Sequence, residues 1–117
     1  MPIVRTVRAR LGDMVTSIGR IERFLAGKDF DDFKSDALVH DAVVRNLEII
    51  SEASRYITDE LKSQTPEIPW RKVADIGNWL RHAYEGVSDR ILWDSIQDDL
   101  PKLLKTIQGL LSRSDIV

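Results

Sequence analysis

Residues 3–25 read IVRTVRARLGDMVTSIGRIERFL, and the spacing of their apolar side chains decides the fold. Ile3, Val7, Leu11, Met14, Ile18, Ile21 and Leu25 recur every three or four positions. A helix gathers such positions into one stripe, so the segment predicts an amphipathic helix. Gly12 and Gly19 each weaken it by about 1 kcal/mol relative to alanine, and both offer a place where a second helix can approach closely. Gly27 supplies a helix stop, and Lys28 to Lys34 reads as a loop or short turn.

The same period returns downstream. Ser35 or Asp36 can cap a second helix, whose buried stripe is Val39, Val43, Leu47, Ile50, Ile57 and Leu61. Its polar stripe, Asp41, Arg45, Glu48, Glu52, Arg55 and Asp59, alternates in sign and fits a solvated face laced with salt pairs. Thr65-Pro66-Glu67-Ile68-Pro69 interrupts the pattern, because proline disfavours helix at the residue before it. Trp70 then opens a third helix with Val73, Ile76, Leu80 and Ala83 on its apolar side, ended by Gly86. Ser88 or Asp89 starts a short fourth through Ile91, Leu92, Trp93 and Ile96. Asp99 and Pro101 mark the start of a fifth, packed by Leu100, Leu103, Leu104, Ile107, Leu110 and Leu111. The tail from Ser112 reads as frayed. With no competing strand pattern and no internal repeat, the expectation is one all-α domain of about five helices over residues 1–117.

Composition narrows the function. At 117 residues, roughly 65% of the unfolded surface can be buried, enough for one modest core. Hydrophobic residues at 43% and charged residues at 31% fit a folded globular chain rather than a disordered one. Cysteine is absent, which excludes disulfides and cysteine-ligated zinc and suits a reducing, cytoplasmic setting. The N-terminal segment alternates Arg5, Arg8 and Arg10 with apolar residues, unlike a secretory peptide, and no run approaches the ~18 apolar residues of a membrane span. Its basic amphipathic pattern would also suit a membrane surface, but a bundle helix is the plainer reading. The net charge of −2 argues against a general nucleic-acid coat. It leaves room for a small site with a few local cations.

Such a site is suggested by Ile76-Gly77-Asn78-Trp79-Leu80-Arg81-His82-Ala83-Tyr84, in a chain with only two histidines and two tyrosines. On a helix Asn78 and His82 share a face, with Arg81 at its border. RNA carries its own nucleophile, the 2′-OH, so its cleavage needs a base, an acid for the leaving oxygen and donors for the charge on phosphorus. Histidine exchanges protons near neutral pH, so His82 can act as base or acid. Arg81 can grip the phosphate through its planar fork, and Asn78 can orient His82 or donate to a phosphate oxygen. The same spacing equally suits a surface or interface histidine held by Asp75 or Asn78. Tyr84 fits a half-buried phenol with a satisfied hydroxyl, and His40 a surface or capping histidine. Trp70, Trp79 and Trp93 suit core or interface anchors. No histidine pair or histidine–carboxylate cluster has metal-ligand spacing, and no glycine-rich phosphate loop is present. Neither a metal nor a cofactor is implied.

Three stretches together give the chain a resemblance. They are Val44-Arg45-Asn46-Leu47-Glu48-Ile49-Ile50-Ser51-Glu52-Ala53, then Ile68-Pro69-Trp70-Arg71, then Asn78 through Tyr84 followed by Ile91-Leu92-Trp93. In order and spacing the chain resembles the HepT-like branch of the HEPN superfamily over nearly its whole length. The characteristic motif of that family is arginine, four residues, histidine, one residue, tyrosine, usually with a polar residue after the arginine. His82, Tyr84 and Asn78 match. Gly77 stands where the phosphate-binding arginine belongs, and Ser51 stands where glycine is common.

The resemblance implies a mostly antiparallel helical bundle that pairs as a homodimer, with two copies of His82 facing one cleft. It implies a metal-independent endoribonuclease toxin acting on RNA, with transfer RNA as one target class. It also implies a nucleotidyltransferase antitoxin that adds AMP to the motif tyrosine, here Tyr84. An adenylylated phenol would place bulk and negative charge where substrate phosphate binds. The alternatives are a non-catalytic module that docks the nucleotidyltransferase, its nuclease weakened by Gly77, and a plain dimeric bundle whose polar stripe is only an interface.

Overall fold

A computed structural model describes residues 5–82 and 88–117, apart from the side chain of His82. Its helices are α1 (Val7–Leu25), α2 (Phe30–Ser35), α3 (Ala37–Ser54), α4 (Asp59–Ser63), α5 (Trp70–His82), α6 (Asp89–Asp98) and α7 (Leu100–Leu111), and no strand occurs among the described residues. The five helices that periodicity predicts are α1, α3, α5, α6 and α7; α2 and α4 are single short turns between them.

Local chemistry explains the two additions. In α2 the Asp29 side chain accepts from the Asp32 amide at 2.9 Å, and Asp32 returns the bond to the Asp29 amide at 3.1 Å. This reciprocal cap makes a helix of what reads as a loop. The second predicted helix is two helices. The chain leaves α3 after Ser54 and restarts at Asp59, where the Thr58 hydroxyl accepts from the Leu61 amide at 3.2 Å. Ile57 and Leu61 stay buried across the break, so the apolar stripe carries no trace of it.

Thr6 caps α1 by accepting from the Ala9 amide at 3.0 Å, while Ile3 lies outside the described residues. Gly27, at φ +72°, ends the turn after α1 in the left-handed conformation that glycine adopts without strain. Gly12 and Gly19 do not take the close helix contact expected of them. Nothing lies within 4 Å of a Cβ added at Gly12, and only Arg23 Nη1, at 3.5 Å, meets one at Gly19.

The core joins Leu11, Met14, Ile18 and Ile21 of α1 to Phe33 of α2, Val43, Leu47 and Ile50 of α3, and Leu103 and Ile107 of α7. Each such side chain gains about 1.5–3 kcal/mol by leaving water. Helix directions follow from end contacts. Arg10, at the start of α1, lies 3.7 Å over the ring of Tyr56, just past α3. Arg8 donates through Nε to the Ile116 carbonyl at 2.9 Å and through Nη2 to the Arg113 carbonyl at 2.8 Å. Thus α1 runs antiparallel to both α3 and α7. These bonds also correct the expectation of a frayed tail: Ile116 is buried and the chain end docks on α1.

His40 is partly exposed, with about a quarter of its side chain open to solvent, and it does not cap α3. Asp36 caps α3, its Oδ1 accepting from the Leu38 amide at 3.1 Å and the Val39 amide at 3.2 Å. The His40 ring stacks on Phe33 with centroids 5.0 Å apart, and its Nε2 lies 2.7 Å from Asp89 Oδ1. It braces the start of α6 against α2. Gly86 and Tyr84 lie outside the described residues. No described helix is long and apolar enough to cross a membrane.

Candidate functional site

The last turns of α3 meet the middle of α5. The contact is made by Ser51, fully buried in α3, and Gly77 of α5. The Ser51 hydroxyl donates to the Ala74 carbonyl at 2.8 Å and accepts from the Gly77 amide at 2.9 Å. A Cβ at position 77 would lie 2.6 Å from Ser51 Oγ, 3.3 Å from Ser51 Cβ and 3.4 Å from Arg81 Nη1. Glycine is therefore what admits the serine, and among the described glycines this is the one where a neighbouring helix comes close.

One turn beyond Ser51, Arg55 follows the same face of α3 across to α5. Its Nη2 donates to Asn78 Oδ1 at 2.9 Å and to the Ala74 carbonyl at 3.4 Å. Arg81 lies one turn after Gly77, and helical side chains lean toward the preceding turn. Its Nη2 donates to the same Asn78 Oδ1 at 2.7 Å, and its Nη1 hangs over position 77. Two donors converging on one atom identify that atom as the amide oxygen.

Asn78 thus holds two guanidinium groups side by side, within roughly 6 Å of each other since both reach one oxygen. Neither pairs with a carboxylate among the described residues. At that distance two positive charges repel by about 1 kcal/mol in a water-like medium and several times that near a low-dielectric surface. A neutral amide relieves part of this; an anion would reverse it. The pair lies on the exposed side of α5, with Arg55 and Arg81 both open to solvent.

Of the residues singled out in the sequence, the structure brings Asn78 and Arg81 into direct contact. His82 is the last residue of α5, four positions after Asn78 in one continuous helix, so the two positions share a face about 6 Å apart along the axis. The His82 side chain and Tyr84 lie outside the described residues. The Asn78 oxygen is committed to the arginines, and its NH2 group donates to no described acceptor. Arg55 reads in sequence as one member of a sign-alternating stripe, and no local signal sets it apart from the rest. No cluster of three or more potential metal ligands occurs among the described residues.

A model of the family described as "Ribonuclease HepT-like" matches residues 14–110. The chain belongs to the HepT-like family. A "Probable ribonuclease HepT" of Thermococcus cleftensis is 42% identical over 85% of this chain and 90% of its own length. A "Putative RNase" of Methanocaldococcus jannaschii is 35% identical over 89% of this chain and 95% of its own. Another, of Caldanaerobacter subterraneus, is 37% identical over 80% and 82%. No solved structure matches significantly. Gly77, which the resemblance sets at the arginine position of the motif, and Ser51, which it sets where glycine is common, touch each other at 2.9 Å.

Proposed function

We propose that this HepT-like protein is a metal-independent endoribonuclease and the toxin of a cytoplasmic toxin–antitoxin pair, neutralised by a nucleotidyltransferase partner. Residues 1–117 act as one domain in a homodimer. RNA binds across the α5 face of Asn78, Arg81 and His82, with transfer RNA as the first target class to test. The observation that supports this reading is the pair of guanidinium groups, Arg55 from the end of α3 and Arg81 of α5, that meet at Asn78 one turn before the motif histidine and pair with no carboxylate among the described residues.

In the proposed step the 2′-oxygen attacks the adjacent phosphorus. A histidine base takes the 2′-OH proton, the bond from phosphorus to the 5′-oxygen breaks, and an acid protonates that oxygen. The products are a 2′,3′-cyclic phosphate and a 5′-hydroxyl, with no water or oxidant consumed. Arg81 neutralises charge on the phosphorane, and the Asn78 NH2, which donates to no described acceptor, can donate to a non-bridging oxygen. One His82 per chain supplies one of the two proton-transfer groups, and a second copy across a dimer axis supplies the other. Adenylylation of Tyr84 by the partner would put a phosphate in competition with substrate at the same cations.

Gly77 in the motif arginine position favours one second reading, a binding module without nuclease activity. An assay in EDTA on total transfer RNA separates the two, using protein made without its partner. Cleavage that disappears in His82→Ala, with helix content and mass unchanged, supports the nuclease. Cleavage retained in His82→Ala removes His82 from the mechanism, and no cleavage by a folded wild type favours the module.

A further inference from the structure

We propose that Arg55, at the C-cap of α3 and outside the family motif, is a phosphodiester-binding residue, and that it forms with Arg81 a two-arginine clamp for one RNA phosphate in place of the arginine missing at Gly77. The chemical identity of the ligand rests on the ribonuclease reading above; the existence of an anion site does not.

The argument begins at position 77. No side chain enters there without displacing Ser51, whose Oγ lies 2.6 Å from where a Cβ would be. Yet the space over Gly77 already holds a guanidinium, because Arg81 reaches back one turn and places Nη1 there. Arg55 reaches the Asn78 oxygen that Arg81 also holds, coming from the end of α3. Each spends Nη2 on Asn78 Oδ1 and keeps its Nε and Nη1 donors, which bond to no described acceptor. A phosphodiester has two non-bridging oxygens, and two planar forks can take one each. Asn78 fixes the spacing of the forks before the anion arrives, so less side-chain freedom is lost on binding. A carboxylate at position 78 would have neutralised the pair; the amide orients it and leaves its charge.

The test is fluorescence anisotropy with a labelled, fully 2′-O-methylated RNA oligonucleotide, which lacks a free 2′-OH and is not cleaved. The proteins are wild type, Arg55→Ala, Arg55→Lys, Asn78→Asp and, as a control, Arg45→Ala. Arg45 is another exposed arginine of α3, 3.6 Å from Glu48. Arg55→Ala should weaken binding roughly tenfold and lower the salt dependence by somewhat less than one unit of slope. Arg55→Lys should fall between, since it keeps charge but loses the fork. Asn78→Asp keeps an acceptor for both arginines but should bind at least as weakly as Arg55→Ala. Arg45→Ala should bind as wild type.

Wild-type affinity in Arg55→Ala, or an equal loss in Arg45→Ala, would overturn the clamp. Cleavage of unmodified RNA by the same preparations separates the two claims. Probe binding that depends on Arg55 without cleavage supports the clamp and sinks the nuclease. Cleavage by wild type and Arg55→Ala alike, with equal probe affinity, sinks the clamp and keeps the nuclease.

Discussion

The hydroxyl of Ser51 lies 2.9 Å from the backbone nitrogen of Gly77 and fills the space that any side chain at position 77 would enter. Restoring the motif arginine alone should therefore fail. In Gly77→Arg the serine must rotate, losing its bonds to Ala74 and Gly77, and its Cβ still crowds the new one at 3.3 Å. The expected loss is about 1–3 kcal/mol, as for overpacking at a tight contact. In Ser51→Gly/Gly77→Arg the obstacle is gone. A double-mutant cycle in urea should show favourable coupling of about 1 kcal/mol or more, and additive effects would mean that α3 and α5 yield freely at this point.

Asn78→Asp should change stability and RNA affinity in opposite directions. A carboxylate between Arg55 and Arg81 turns two hydrogen bonds from a cation to a neutral amide oxygen into ion pairs of similar geometry. Because both arginines are exposed, the gain at neutral pH is limited to about 0.5–1 kcal/mol. The same charge opposes a phosphate. A higher melting temperature with weaker RNA binding is the expected result; stability and affinity falling together would show that the two arginines do not share position 78 in solution.

How far the sequence carries depends on what kind of interaction holds each element. The five longer helices were legible because their stability comes from an apolar stripe with a fixed period, as in Leu11, Met14, Ile18 and Ile21. The break after Ser54 was not, because Ile57 and Leu61 continue the stripe and a single threonine hydroxyl makes the restart. Asn78 and Arg81 were legible as neighbours on one helix. Arg55 was not, since its partner lies 23 residues away and nothing local separates it from Arg45 in the same stripe. Gly77 and Ser51 were visible singly as departures from the family pattern. Their contact across two helices is a property of packing alone.

Lys72 and Asp99 should couple measurably. Asp99 stands at the N-cap of α7, where periodicity and the following Pro101 put it, but its side chain makes no cap bond. It accepts from Lys72 Nζ at 2.6 Å instead, tying α5 to the start of α7. The aspartate is mostly buried and the lysine partly exposed, so a cycle of Lys72→Met and Asp99→Asn should give about 0.5–1.5 kcal/mol, reduced by salt. Absence of coupling would leave the bridge without a role in stability.

The docked tail makes the last prediction, with a pH dependence of fixed sign. Ile116 is buried, and Arg113 donates to Asp115 Oδ2 at 2.7 Å and to Gln64 Oε1 at 2.8 Å while its carbonyl accepts from Arg8. Ile116→Ala should destabilise by about 2 kcal/mol through lost burial. The hydrogen bond from Arg113, with that cation's charge behind it, holds the Asp115 carboxyl below its ordinary value of 3.8. A depressed carboxyl stabilises the folded state above its unfolded pKa, and the contribution is lost as pH falls through the folded one. The difference in melting temperature between wild type and Asp115→Asn should therefore be constant from about pH 5 to 8 and shrink only in acid below that ordinary value. A difference that instead grew toward acid would mean that the Arg113–Asp115 pair does not hold the tail.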